Sequence, residues 1–142
     1  MAGRMPSPLA AQLQQKMILA PLTKGGNLPF RRLCGDFGME ASMSEMVYAR
    51  HLLKGDRIEK ARLRRAPNEQ LFGVQIATND LEEGIAASKL VAESGADWID
   101  LNCGWCAVPH ILQCCTREEV RVVVSFVVQF PRIRHSSILL LS

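Results

Sequence analysis

The chain has 142 residues and a mass of 15.8 kDa, the size of one ordinary domain. Its 48% hydrophobic and 22% charged content excludes a disordered or collagen-like chain. A net charge of +3 permits a nucleic-acid partner without requiring one, and no apolar run reaches the roughly eighteen residues of a membrane span.

In chain order, residues 1–16 are rich in Pro, Ala and Gln and read as a loose lead-in. Arg4 is followed by no apolar stretch before Lys16, which argues against a secretory signal. Met17-Ile18-Leu19-Ala20, stopped by Pro21, has the pattern of a short buried strand. Lys24-Gly25-Gly26-Asn27 is a turn, with Asn27 suited to cap a helix and Pro29 to its first turn. That helix carries Phe30, Leu33, Cys34 and Phe37 three and four apart, an apolar face expected to be buried, and stops at Gly38. Ala41 to Met43 is a second, weak strand. Helical material follows from about Val47 to Arg65, ended by Pro67. Leu71 to Ile76 is a third strand, a helix capped by Asn79 or Asp80 runs from Leu81 to Ser94, and Trp98 to Asn102 is a fourth strand. From 105 on the composition changes. The β-branched stretch after Thr116 favours strand, while a capping box from Thr116 to Glu119 favours helix, so both remain open.

Strands alternating with helices imply right-handed βαβ units and a parallel sheet. The expected fold class is α/β: an incomplete (β/α)8 TIM barrel of about four N-terminal βα units in 17–104, followed by a divergent tail in 105–142. A complete barrel takes roughly 250 residues. In such a barrel the C-terminal strand ends form the rim of the site, and there the chain carries Thr23, Ser44, Glu45, Gln75 and Asn102. Gln75 is a polar residue inside an apolar strand. A buried amide needs partners, and a flat heterocycle with alternating donors and acceptors is one candidate. Asn102-Cys103-Gly104-Trp105-Cys106 puts an amide at a strand end and thiols just beyond, and a thiol of suitable pKa can donate a proton to a carbanion-like carbon.

Two further patterns are present. Residues 50–65 hold Arg50, Lys54, Arg57, Lys60, Arg62, Arg64 and Arg65 against Asp56 and Glu59, a local +5. Such a segment is either a solvated helix face or a surface that tracks RNA phosphates. Four of the five cysteines lie between 103 and 115, and an odd, clustered set fits thiols or a metal site in a reducing compartment better than disulfides. Cys103, Cys106, His110 and Cys114 (or Cys115) form C-x2-C-x3-H-x3-C, four potential zinc ligands or a redox-active Cys-x-x-Cys. The spacing does not fit a zinc-finger or ribbon pattern cleanly and Cys103 belongs to the strand-end motif, so no metal is expected. The expected location is intracellular, cytoplasmic or nuclear.

Several of these segments together resemble one family. Ile18-Leu19-Ala20-Pro21-Leu22-Thr23, Gly26-Asn27-Leu28-Pro29-Phe30-Arg31-Arg32, Ser44-Glu45-Met46, Phe72-Gly73-Val74-Gln75 and Asp100-Leu101-Asn102-Cys103-Gly104 are similar, in order, to motifs of the tRNA-dihydrouridine synthases. Within it, Leu52-Leu53-Lys54-Gly55 and the stretch from Asn27 to Arg32 are most similar to the eukaryotic type that modifies the tRNA variable loop. The resemblance implies an FMN-dependent TIM barrel in which NADPH reduces the flavin, hydride passes to C6 of a flipped-out uridine in tRNA, and a cysteine protonates C5. It further implies that Pro21, Leu22 and Thr23 line the flavin, that Gln75 bonds the isoalloxazine edge and that Asn102 holds the base. The family places its acid cysteine three positions after the asparagine. Here Trp105 stands there and Cys106 follows one later, so Cys106 is the candidate catalytic acid, shifted by one residue. The later flavin ligands of the family have no counterpart in 104–142. The expectation is a synthase-like flavoprotein that is weakly active or inactive alone. The alternative is a non-catalytic half-barrel that binds RNA or a partner, with its open edges available for a homodimer.

Overall fold

A computed structural model describes residues 8–102 and 122–125. The elements are α1 (Pro8–Leu13), β1 (Ile18–Leu19), α2 (Leu28–Asp36), β2 (Ala41–Met43), β3 (Val47–Tyr48), α3 (Ala49–Leu53), α4 (Arg57–Arg62), β4 (Leu71–Ala77), α5 (Leu81–Glu93), β5 (Trp98–Asn102) and β6 (Val122–Ser125). Among the described residues every strand pairing is parallel. The order is β1-β2-β4-β5-β6, with β3 beside the C-terminal end of β4. This is the α/β arrangement of part of a TIM barrel, as expected.

Local chemistry sets most boundaries. Asn27 caps α2 by accepting the Phe30 N–H at 3.1 Å, with Pro29 in the first turn. Asp80 caps α5 by accepting the Glu83 N–H at 2.9 Å. Gly38 and Gly95, with φ of 90° and 84°, take the left-handed turn beyond α2 and α5 that an L side chain resists.

Alternation along β4 and β5 divides the sheet into two faces. Val74, Ile76, Ile99 and Leu101 pack with Phe72, Val47, Leu52, Ala87 and Val91 under α3 and α5. The opposite face begins with Ala41, Met43 and Trp98, closed at this end by Leu9 and Leu13 of α1. Gly73 lies beside Trp98 in register, and a Cβ at Gly73 would clash with the indole ring. A strand interior that gives up a side chain here does so to admit the large ring of its neighbour.

Three expectations need correction, and one open alternative is resolved. Residues 8–13 are not loose, because Leu9 and Leu13 find an apolar surface to cover. The segment 47–65 is not one helix. Val47 and Tyr48 pair with Ile76 and Ala77, and Gly55 at φ 82° breaks the remainder before Asp56 caps α4. The apolar face of α2 is not its buried one: Leu33 and Phe37 are 53% and 82% exposed, while Arg31 is buried. The reason is a pair of long-range partners, described below, that periodicity does not register. Of the open stretch after Thr116, Val122–Ser125 is a strand that extends the sheet beyond β5.

Candidate active site

Beyond Met43 the register of β2 on β4 slips. Met43 pairs with Gly73 and Val47 with Ile76, so the chain uses one more residue than its neighbour across 44–46. Such a bulge re-aims side chains at the C-terminal end of a sheet. Here it places the Ser44 hydroxyl to accept the Gln75 backbone N–H at 3.2 Å, while Ser44 Oγ itself donates to the Glu45 carbonyl at 2.8 Å.

Gln75 is buried, as its surroundings in the sequence suggested. Its Nε2 donates to Asp100 Oδ2 at 2.6 Å, and Gln75 and Asp100 are register partners on β4 and β5. Asn102, two residues beyond Asp100 and therefore on the same face, donates from Nδ2 to Gln75 Oε1 at 3.4 Å and to Met46 Sδ at 3.2 Å. The structure thus brings together two of the predicted residues, Gln75 and Asn102, in a polar layer above the apolar one formed with Trp98. Asp100 is the member that sequence reasoning missed. The signal was available: like Gln75, it is a polar residue inside an apolar strand.

Pro21, Leu22 and Thr23 follow β1 at the same end of the sheet. Their loop is closed by the Gly25 and Gly26 N–H groups, which donate to the Leu22 carbonyl at 3.0 and 2.6 Å. Leu22 and Thr23 are exposed and Pro21 is half-buried. Gly26 is buried, and a Cβ there would stand 3.1 Å from the Leu22 carbonyl oxygen. The carbonyl of Gly26 accepts from Arg31 Nη1 at 2.9 Å. Arg31 also donates from Nε to Glu69 at 2.7 Å and from Nη2 to the Arg64 carbonyl at 2.7 Å, with its guanidinium over the Phe72 ring. This buried ion pair, further bonded by the Ser42 hydroxyl at 2.6 Å, ties the loop to the body of the sheet.

The basic segment proves only partly available to a partner. Arg50 pairs with Glu83, Arg65 with Asp97, and Arg62 with Glu45 and Glu59. Burial works against the charge of Arg62, but its hydrogen bonds to Glu59 and Glu45 outweigh that and raise its pKa. Lys54, Arg57, Lys60 and Arg64 are exposed and have no ion pair among the described residues. Cys106, Trp105 and the C-x2-C-x3-H-x3-C pattern lie outside the described residues.

The family model for dihydrouridine synthase matches residues 18–115, more than half of the chain and all of the site just described. The chain belongs to the dihydrouridine synthase family. It is 41% identical over 92 residues to a tRNA-dihydrouridine(47) synthase of Coprinopsis cinerea, covering 63% of this chain and 14% of the relative. It is 45% identical over 92 residues to a tRNA-dihydrouridine(47) synthase-like protein of Oryza sativa, covering 64% and 13%. A tRNA-dihydrouridine(47) synthase-like protein of Mus musculus is 40% identical over 90 residues, covering 63% and 14%. The chain therefore spans only a small part of the length of the curated relatives it matches. Enzymes of the family are flavin-dependent. Among the described residues, no helix is long and apolar enough to cross a membrane.

Proposed function

We propose that this chain is a dihydrouridine synthase-like flavoprotein whose site is the rim formed by the loop after β1, the bulge after β2 and the ends of β4 and β5. The observation that carries the reading is the buried Gln75–Asp100–Asn102 layer at the C-terminal end of a parallel sheet. The donor set fits the cofactor's ring: the pyrimidine edge of an isoalloxazine alternates acceptor, donor and acceptor, and a side-chain amide offers both kinds of partner. Gln75 would hold that edge, Pro21, Leu22 and Thr23 would lie along the ring, and Asn102 would hold the base of an extruded uridine in tRNA. Bound FMN, reduced by NADPH, would supply the hydride that adds to C6 of the base. Cys106 is the proposed proton donor to C5, one residue later than in the family's pattern. A shift of that kind re-aims a side chain, and a misplacement of about 1 Å costs about 10²-fold in rate. On this reading the chain alone is weakly active or inactive. Residues 17–104 are the N-terminal half of the barrel, and 105–142 are a divergent continuation that returns one strand to the sheet. The location is cytoplasmic or nuclear, where tRNA is found.

The test is FMN titration of the purified chain, followed by NADPH-dependent dihydrouridine formation on unmodified tRNA. Stoichiometric FMN that is lost in Gln75→Leu supports the flavin site. A colourless protein that ignores FMN overturns it, and rapid turnover overturns the expectation of weak activity. A second reading, binding without catalysis, is favoured by the exposed Lys54, Arg57, Lys60 and Arg64, and predicts a salt-dependent tRNA affinity in the absence of flavin. Association of two copies along the edge strand β1 belongs to either reading and is checked by light scattering.

A further inference from the structure

The cofactor reading assigns Gln75 to the ring edge but leaves open which of its two polar atoms meets the ligand. We propose that Asp100 is a positioning residue that turns the Gln75 amide with its oxygen toward the site, so that the site selects a ligand offering an N–H at that point. This rests on the flavin reading above and names the contact within it.

The register pairing of Gln75 with Asp100 sets the two side chains next to each other on one face, both buried, at 3% and 1% exposure. A carboxylate has lone pairs and no hydrogen to give, so the group 2.6 Å from Asp100 Oδ2 has to be the NH2 end of the amide. Reversing the amide would set two acceptors against each other in a buried place, at the cost of a charge-assisted hydrogen bond. Oε1 is thereby committed to the other side, where Asn102 Nδ2 stands at 3.4 Å. A carbonyl oxygen has two lone pairs, so one remains for a ligand after Asn102 is served. The Gln75 backbone is pinned in turn by the Ser44 hydroxyl, which keeps the amide at this depth. An oxidised isoalloxazine ring has a single N–H, at N3. An outward-facing Oε1 accepts from that group, whereas an outward-facing NH2 would meet only the carbonyls beside it.

The test uses the 142-residue chain as wild type, Asp100→Asn, Gln75→Leu and the double variant, each titrated with FMN and with N3-methyl-FMN. The wild type is expected to prefer FMN about tenfold, the worth of one good hydrogen bond. Asp100→Asn is expected to lose most of that preference, because an amide at 100 accepts or donates and no longer dictates the orientation of Gln75. In the Gln75→Leu background, Asp100→Asn is expected to change nothing further. An equal loss of FMN affinity in both backgrounds would mean that Asp100 supports the fold alone, and overturns the proposal. A second measurement needs neither flavin nor a folded variant at 100. In the side-chain amide spectrum of the flavin-free wild type, the Gln75 NH2 pair is expected to be protected from exchange and shifted from free glutamine. A pair at the free position overturns the proposal. A protected pair in a chain that ignores both flavins supports the orientation by Asp100 and removes the flavin reading instead.

Discussion

The two faces of β4 and β5 are built from alternate residues of the same paired strands, yet they obey different rules. On one face Val74, Ile76, Ile99 and Leu101 are packed under α3 and α5 with no polar neighbour in the cluster. On the other, an apolar layer around Trp98 gives way toward the strand ends to Gln75, Asp100 and Asn102, which bond to one another and to the bulge. The helix-covered face is interchangeable apolar volume, whereas the other is a set of directional bonds whose members have individual roles. Stability and site are thus separated by a period of two residues, and substitutions on the two faces are expected to have different consequences.

The largest expected effect comes from the polar exception on the helix-covered side. Arg31→Met leaves Glu69 buried without its cation, and is expected to cost about 3–5 kcal/mol in denaturant unfolding, with loosening of the loop at Gly26. A cost below about 1 kcal/mol would show that the pair is dispensable. Next, Ile99→Ala is expected to cost about 2–5 kcal/mol by opening a cavity, while the FMN affinity of the folded fraction stays unchanged. A change in that affinity would break the separation of the faces. Gly73→Ala, on the site face but in its apolar layer, is expected to cost about 1–3 kcal/mol, because the rigid Trp98 indole has to move. Replacing Trp98 by Leu in the same chain is expected to relieve part of that cost. The smallest effect is at α4. The N–H groups of Glu59 and Ile58 bond the Asp56 carboxylate and hold its pKa below the ordinary range. A lowered folded pKa means that this stabilisation is present at neutral pH and is lost as pH falls below the ordinary carboxylate range and through the folded value. Asp56→Asn is expected to keep the cap and to flatten that acid limb of a melting-temperature profile.

The elements legible in the sequence were those with local causes. Asn27 and Asp80 accept N–H groups three residues ahead, so α2 and α5 begin where their caps stand. β5 has its expected bounds because it is a short apolar run between Gly95 and the site. Gln75 and Asn102 were found because an amide at an apolar strand's inner or end position is conspicuous. The failures share one origin. The stripe Phe30, Leu33, Cys34 and Phe37 has the right period, but the direction a helix faces is decided by what binds it, here Arg31 to Glu69, thirty-eight residues away. Val47 and Tyr48 are strand rather than helix because Ile76 and Ala77 offer them an edge.

By itself, then, the order of residues determined the alternation of strands and helices, the starts of α2 and α5, the parallel sheet and two members of the polar layer. All of these rest on interactions within a few residues or on the period of side chains. Only the tertiary structure decided the covering of the Trp98 layer by α1, the outward turn of the apolar face of α2, the bulge after β2 and the partnership of Gln75 with Asp100. Each of these depends on register between segments twenty or more residues apart, and register is set by the whole sheet packing at once.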